Sequence, residues 1–320
     1  MKKCMGCMRD YRDDISACPV CGYSARQMEE DRQRMPDAIP PETILYGRFI
    51  IGRVLSMTNY SIIYLSWDAL MQRRLVIREF FPYGFARRGE DGLNLTFPYE
   101  AARTSFLKGK DVFIQEGLAL SKNQDLQDIV HIYRVFEENG TAYQVMQYLE
   151  GCTLQDYFEE CGAPPGQKKA YEILDKLAAM LEHIHSRGLI HYNLSPENVY
   201  IDEEFNLTAI DFSLGKWEWM KIAKGKEHEL DLRYCAPEVL EGQYCGAGAD
   251  MYSLGAIFYR MLKGNDPPQT RVVKQRKKKW EPDDPLAARI LRRLMEPDPV
   301  IRAGSLAQAR EVAQETQVLG

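Results

Sequence analysis

His191-Tyr192-Asn193-Leu194-Ser195-Pro196-Glu197-Asn198, followed by Asp211-Phe212-Ser213 and Ala236-Pro237-Glu238, is the stretch on which the reading of this 320-residue chain turns. On either side of it the periodicity is helical: Tyr171 to His185, Asp250 to Leu262 and Pro285 to Met295 carry apolar residues at three- and four-residue spacing. Upstream the pattern differs. Phe49-Ile50-Ile51, Ser61-Ile62-Ile63-Tyr64-Leu65 and Arg74-Leu75-Val76-Ile77-Arg78 are β-branched and alternating. A helical stretch around Phe106 to Lys122 follows, then Ile129 to Phe136, a turn at Glu138-Asn139-Gly140, and Ala142 to Gln147. A β-rich part followed by a helical part predicts an α+β chain.

Composition narrows the function classes. With 45% apolar and 27% charged residues the chain must bury a core rather than stay disordered. Lysine plus arginine number 41 against 46 acids, and a net charge of -5 gives no global attraction to nucleic acid or anionic lipid. No apolar run approaches the roughly 20 residues of a spanning helix. Met1-Lys2-Lys3-Cys4 leads into charge rather than into a signal peptide's apolar stretch. The chain reads as cytoplasmic, with no membrane segment and no nucleic-acid partner expected.

Eight cysteines fall into two populations. Cys4, Cys7, Cys18 and Cys21 form two Cys-x2-Cys pairs ten residues apart, and Gly22 follows the second pair. Two residues between thiolates let a tight turn aim both sulfurs at one ion, so four such thiolates predict a closed tetrahedral zinc site with a structural role. Two disulfides are disfavoured by a cytosolic setting, and a redox pair by the lack of a following strand-helix pattern. Cys152, Cys161, Cys235 and Cys245 read as small core or surface residues. Charge, Gln and Pro dominate Arg26 to Pro41, which predicts a linker or a short surface helix. The expected organisation is a zinc ribbon at 1–25, a linker at 26–44 and a larger domain at 45–318.

From Tyr46 onward the chain resembles the protein kinase superfamily, and among its members the bacterial Ser/Thr kinases. Val76-Ile77-Arg78-Glu79 resembles the third-strand Val-Ala-Ile-Lys segment, and Glu116 sits where helix C supplies its glutamate. Met146 to Gly151 resembles the hinge, with Gln147 and Leu149 at its nucleotide-facing positions. The opening stretch falls on the catalytic loop, on Asp-Phe-Gly and on Ala-Pro-Glu, and Arg302 falls where a distal arginine pairs with the Ala-Pro-Glu glutamate, here Glu238. The resemblance implies a bilobal fold: a β-rich N-lobe at 45–146, a hinge at 147–151 and a helical C-lobe at 152–318.

The departures from the family pattern touch the chemistry. Asn193 stands at the catalytic aspartate, and a neutral amide is no base at ordinary pH. Ser195 replaces the lysine that steadies the transferring phosphate, and Asp231 replaces a bracing threonine. Ser56, Thr58 and Ser61 occupy the three glycine positions of the phosphate-binding loop, where side chains obstruct close approach of backbone amides. Arg78 replaces the third-strand lysine; it can pair with Glu116 but does not substitute for an ammonium that reaches phosphates. Asp211 and Asn198 match the two magnesium-contacting positions, so residual nucleotide binding through Arg78, Glu116, Asn198 and Asp211 stays open while ATP and Mg2+ are doubtful as cofactors. Tyr192 replaces the arginine that would receive an activation-loop phosphate, and no threonine lies between Asp211 and Glu238.

The resulting expectation is a pseudokinase acting as a scaffold or allosteric protein-interaction module. The alternatives are a weak or atypical ATP-dependent kinase or other nucleotide-using transferase, and a zinc-ribbon adaptor. Arg271 to Lys279 carries six positive charges in nine residues, a candidate dock for an acidic protein surface.

Overall fold

A computed structural model describes residues 1–162, 164–212, 222, 233–241, 243, 246–268 and 280–311. Asp231, the 271–279 basic patch, Ser213, His228 and Cys245 lie outside them. Over the described residues two compact units form, one mainly from 1–124 and 131–148, the other from 125–130, 149–212 and 233–311.

The first unit begins with a small hairpin, β1 (Lys2–Lys3) against β2 (Asp10–Tyr11). Helix α1 (Ala25–Arg34) starts at a capping box in which the Ser24 side chain and Gln27 satisfy each other's backbone amides. It buries no residue, as its charged composition requires. Strands β3 (Ile44–Leu45), β4 (Phe49–Met57), β5 (Ser61–Asp68), β6 (Arg73–Phe80), β9 (Ile132–Glu138) and β10 (Thr141–Gln147) make an antiparallel sheet in the order β3-β4-β5-β6-β10-β9. A second hairpin, β7 (Arg87–Arg88) with β8 (Leu95–Thr96), and helix α2 (Glu100–Ser121) lie between β6 and β9 in sequence.

The period-two alternation of β6 gives the sheet two different faces. Ile77 belongs to one core with Ile51, Ile62, Tyr64, Tyr143 and Val145, while Phe80 belongs to another with Tyr60, Phe106 and Phe113, the last two from α2. Gly117 lets α2 approach the sheet closely, since a Cβ there would lie 2.8 Å from Val135 and 2.9 Å from Gln144. On the first face the fully buried Glu79 accepts both arms of Arg88, at 3.0 and 2.8 Å, and the hydroxyls of Tyr64 and Tyr143 at 2.7 and 3.2 Å. The Ile39 amide donates to the Tyr64 hydroxyl (3.0 Å), and the Ile39 side chain is buried in this core. The 26–44 segment therefore contributes to the sheet's packing as well as carrying an exposed helix.

In the second unit a three-stranded sheet of β11 (Cys152–Thr153), β12 (Val199–Ile201) and β13 (Leu207–Ala209) sits with helices α3 (Leu154–Cys161), α4 (Gln167–Ser186), α5 (Pro237–Leu240), α6 (Gly248–Lys263) and α7 (Pro285–Leu294). Thr153 and Asp156 form a capping box at the start of α3, and Gly162 ends it in a left-handed turn. Helix α6 is buried almost all round, from Ala249 to Met261, which marks it as the centre of this unit. Glu238 and Arg302 form a buried two-pronged ion pair, and Arg302 also donates to the carbonyls of Glu296 (2.7 Å) and Gly248 (2.9 Å).

Removing one partner of a buried, hydrogen-bonded ion pair leaves the other charge stranded, at a cost of about 3–5 kcal/mol. Arg88→Ala should lower the urea midpoint of the first unit, followed through Trp67 fluorescence, by an amount equivalent to that cost. A shift worth less than about 1 kcal/mol would mean that Glu79 is compensated by its tyrosines alone.

Candidate functional site

In the first unit β6 aims Arg78 at α2, opposite to Glu79. Its guanidinium donates Nη1 to Glu116 (3.0 Å) and Nε to the Ser61 hydroxyl (3.2 Å), and Arg78 and Glu116 are each 3% exposed. The rings of Tyr60 and Phe113 flank it, each with its centroid 5.4 Å from the guanidinium carbon. The cation is held by a carboxylate, a hydroxyl and two aromatic rings at once.

The turn between β4 and β5 closes beside it. Thr58 Oγ1 accepts the amides of Tyr60 (3.2 Å) and Ser61 (3.0 Å), and the Thr58 amide donates to the Ser61 carbonyl (2.9 Å). This is a hydroxyl-capped turn of the kind Ser and Thr favour. The Tyr60 ring folds underneath, buried against Phe80 with ring centroids 5.2 Å apart. Amides that would have to face an anion are already satisfied by a side chain, and Ser56 stands on β4 at a register irregularity opposite Ile63.

The second unit positions the 191–198 loop through Asp250, the fully buried acid near the start of α6. Its carboxylate accepts the amides of His191 (2.9 Å) and Tyr192 (2.8 Å) and contacts His185 Nε2 at 2.8 Å. His191 Nδ1 accepts the Asn193 amide (3.3 Å), so its Nε2 carries the proton and donates to the Ile210 carbonyl (2.8 Å). His191 is thus an anchor between two stretches of the loop, with its ring tilted against that of Phe212, centroids 4.5 Å apart. Tyr192 and Asp211 adopt left-handed backbone angles, φ 60° and 57°, a strain that this hydrogen-bonding frame sustains. Asn193 and Asp211 meet through Asn193 Nδ2 and Asp211 Oδ2 at 3.4 Å, and Asn198 Nδ2 donates to the Asn193 carbonyl (2.8 Å). Ser195 is buried, and its carbonyl accepts the Asn198 amide (3.0 Å).

Among the described residues one group of side chains has metal-ligand geometry: Cys4, Cys7, Cys18 and Cys21, with all four sulfurs within 4.8 Å of one another. Cys4 and Cys21 lie 3.5 Å apart and Cys7 and Cys18 3.8 Å apart, free of disulfides. A tetrahedron with metal–sulfur bonds of about 2.3 Å has edges of about 3.8 Å, so the cluster could hold one metal ion. The Gly6 amide donates to Cys4 sulfur at 3.3 Å, the contact that orients a thiolate ligand. Without metal, burial pushes the Cys4 thiol up to about 12 and raises Cys7. At Cys18 burial also acts upward, but the amides of Cys21 and Val20 outweigh it and bring the thiol down to about 7.

The protein kinase domain family model matches residues 101–313. The chain belongs to the protein kinase family. It is 28% identical over 222 residues to serine/threonine-protein kinase PrkC of Bacillus subtilis, covering 69% of this chain and 31% of PrkC. It is 32% identical over 203 residues to a probable serine/threonine-protein kinase of Clostridium perfringens, covering 59% of this chain and 29% of that protein. The chain thus matches about three tenths of these relatives' own length. A solved structure described as PpkA-294 apo form shares the fold with a TM-score of 0.74 at 24% identity, over 87% of this chain and 99% of that one.

The kinase family match takes in Glu116, the 191–198 loop and Asp211, and leaves out Arg78 and the Thr58 turn. The structure brings Arg78 to Glu116 in one unit and Asn193, Asn198 and Asp211 together in the other, with Gln147 at the end of β10 and Leu149 half-buried after it. Two roles escaped the sequence reading. Thr58 as the cap of its own turn could have been found from its hydroxyl three residues before Ser61, a common turn signature. Asp250 as the holder of the loop had no local signal.

Thiols that keep their protons must lose them to bind metal. With Cys4 and Cys7 both shifted upward, affinity for Zn2+ used as a probe should fall at least about 100-fold per pH unit as pH is lowered from 8 to 6, because at least two protons compete with the ion. Competition with a chromogenic chelator measures this slope, and a pH-independent affinity would show that the four sulfurs do not bind the ion together.

Proposed function

We propose that this chain is a pseudokinase: a protein kinase fold that does not turn over ATP and acts as a scaffold or allosteric module for a protein partner, with a zinc ion in its four-cysteine cluster. The observation that carries the reading is the sequestration of Arg78, whose guanidinium is engaged by Glu116 and Ser61 and flanked by Tyr60 and Phe113. A phosphate-binding cation has to be free to move to its ligand; this one is spent on holding α2 to the sheet. The Thr58 cap on the neighbouring amides and the carboxamide at position 193 act in the same direction. The four thiolates fit zinc by donor type and by edge length, and a filled Cys4 shell leaves no open position for catalysis. No helix among the described residues is long and apolar enough to cross a membrane. The reading places the chain in the cytoplasm, where an unpaired Cys-x2-Cys set would stay reduced.

A second reading has its own observation. Asn198 and Asp211 are retained and lie close to Asn193, and the relatives are Ser/Thr kinases, so a weak or atypical phosphotransfer would use these residues to position magnesium and nucleotide.

Thermal denaturation with and without ATP and Mg2+ separates the two. A ligand present at 100 times its Kd stabilises the native state by about 2.7 kcal/mol, several degrees in a domain of this size. The pseudokinase reading expects a shift below about 1 °C at millimolar ATP. Stabilisation of several degrees, together with phosphate transfer that is lost in Asp211→Ala, would establish the second reading instead.

A further inference from the structure

The four-cysteine module is seated on the strand that leads into the Thr58 turn. Met5, Met8 and Tyr23 share one buried cluster with Leu65 of β5, and Ile50 and Trp67 pack at its edge. Strand β4 breaks register here: Ile51 pairs with Ser66 and Val54 with Tyr64, so three steps on β4 match two on β5 and one residue is extra. That is a bulge at Gly52–Arg53. An extra residue in a bulge leaves an amide without a ladder partner, and the Arg53 amide donates instead to the Met5 carbonyl at 2.9 Å. Gly52 provides the room. A Cβ there would fall 2.2 Å from Met8 Cε and 2.6 Å from the Met5 carbonyl oxygen. Lys3 adds a cation over the Trp67 ring, 3.6 Å from its centroid.

Met5 and Met8 bracket Cys7 and follow Cys4, so their positions are set by the same turn that brings the Cys4 and Cys7 sulfurs into the four-cysteine cluster. We propose that metal loading of the cluster fixes the β4 bulge through Met5 and Met8, and through it the shape of the Thr58 turn. The ribbon would then be a metal-dependent clamp on the part of the fold where kinases grip phosphate. A bulge bends its strand and re-aims the residues beyond it; past this one only Val54 to Met57 of β4 remain before the turn begins, and a second register shift falls between Val54 and Ser56. With the metal gone, a segment this short has almost no core of its own to keep Met5 and Met8 in place. The proposal rests on reading the four cysteines as a metal site.

Hydrogen exchange on the full chain tests it, with zinc content measured on the same samples. On removal of zinc by a chelator, the amides of Arg53, Tyr60 and Ser61 should exchange faster by roughly tenfold or more, while Val145 and other central-sheet amides change little. Gly52→Ala should reproduce the acceleration with the zinc content still at one ion per chain, since the atoms its methyl would meet belong to Met8, Met5 and Leu65 and not to a cysteine. Met8→Ala, which introduces no clash, guards against a Gly52→Ala chain that simply fails to fold and should give the same pattern. Zinc loss with unchanged exchange at Arg53 and in the turn would overturn the clamp while leaving the metal site intact. A chain that never holds zinc would overturn both. Acceleration spread evenly over the whole sheet would also overturn it, because that marks global destabilisation rather than a local clamp.

Discussion

Arg78 is the constraint around which the first unit is organised. Moving a guanidinium and a carboxylate out of water costs several kcal/mol per ion, and the burial is tolerable only where geometry returns that energy. Here the return comes from several directions: Glu116 neutralises the charge, Ser61 takes a second donor, and Tyr60 and Phe113 present ring faces. The pair therefore ties three elements together, since Arg78 is on β6, Glu116 on α2, and Ser61 and Tyr60 at the β4–β5 turn. Gly117 permits the close approach of α2 that places Glu116 in reach. On the opposite face Glu79 and Arg88 do comparable work for the β7–β8 hairpin, so adjacent residues of one strand each anchor a different layer.

The second unit solves its polar problem differently. Asp250 is buried and is satisfied by two amides and an imidazole nitrogen. The effect is to pin a loop rather than a side chain. Tyr192 is held in a left-handed conformation beside it, and His191 passes the constraint on to Ile210, next to Asp211. The contacts that pin the loop thus run through its backbone and the His191 ring rather than through the side chain of residue 193.

What was legible in the sequence follows from interaction range. Strands and helices announced themselves by periodicity: the 171–185 pattern became Gln167–Ser186, and the 250–262 pattern became Gly248–Lys263. The Cys-x2-Cys pairs were legible because ligand spacing is a local constraint. The Arg78–Glu116 and Glu238–Arg302 pairs were accessible only through family resemblance, since nothing local links residues 38 or 64 positions apart. The seat of the ribbon on Gly52 was not legible at all. Met5, Met8 and Gly52 are unremarkable letters, and their contact depends on a bulge that no alternation pattern encodes. Ile39 was hidden for a related reason: an isoleucine with only Ala38 beside it, between Pro36-Asp37 and Pro40-Pro41, carries no periodicity, yet it fills the sheet's core.

The Thr58 turn sharpens the contrast between binding and stability. A turn that receives phosphate must keep several amides pointed at an empty space or at water until the ligand arrives, and glycine is suited to that because it adds no group to compete for them. Such a turn sacrifices stability for readiness. In this chain the hydroxyl of Thr58 takes the amides of Tyr60 and Ser61, and the Tyr60 ring fills the space beneath. On the pseudokinase reading, each of these contacts favours the empty state and is something a phosphate would have to displace. An arginine locked beneath the same turn adds to both effects. On the pseudokinase reading these substitutions are one change seen at several positions: a loop built to wait for a ligand has become a loop built to stay closed.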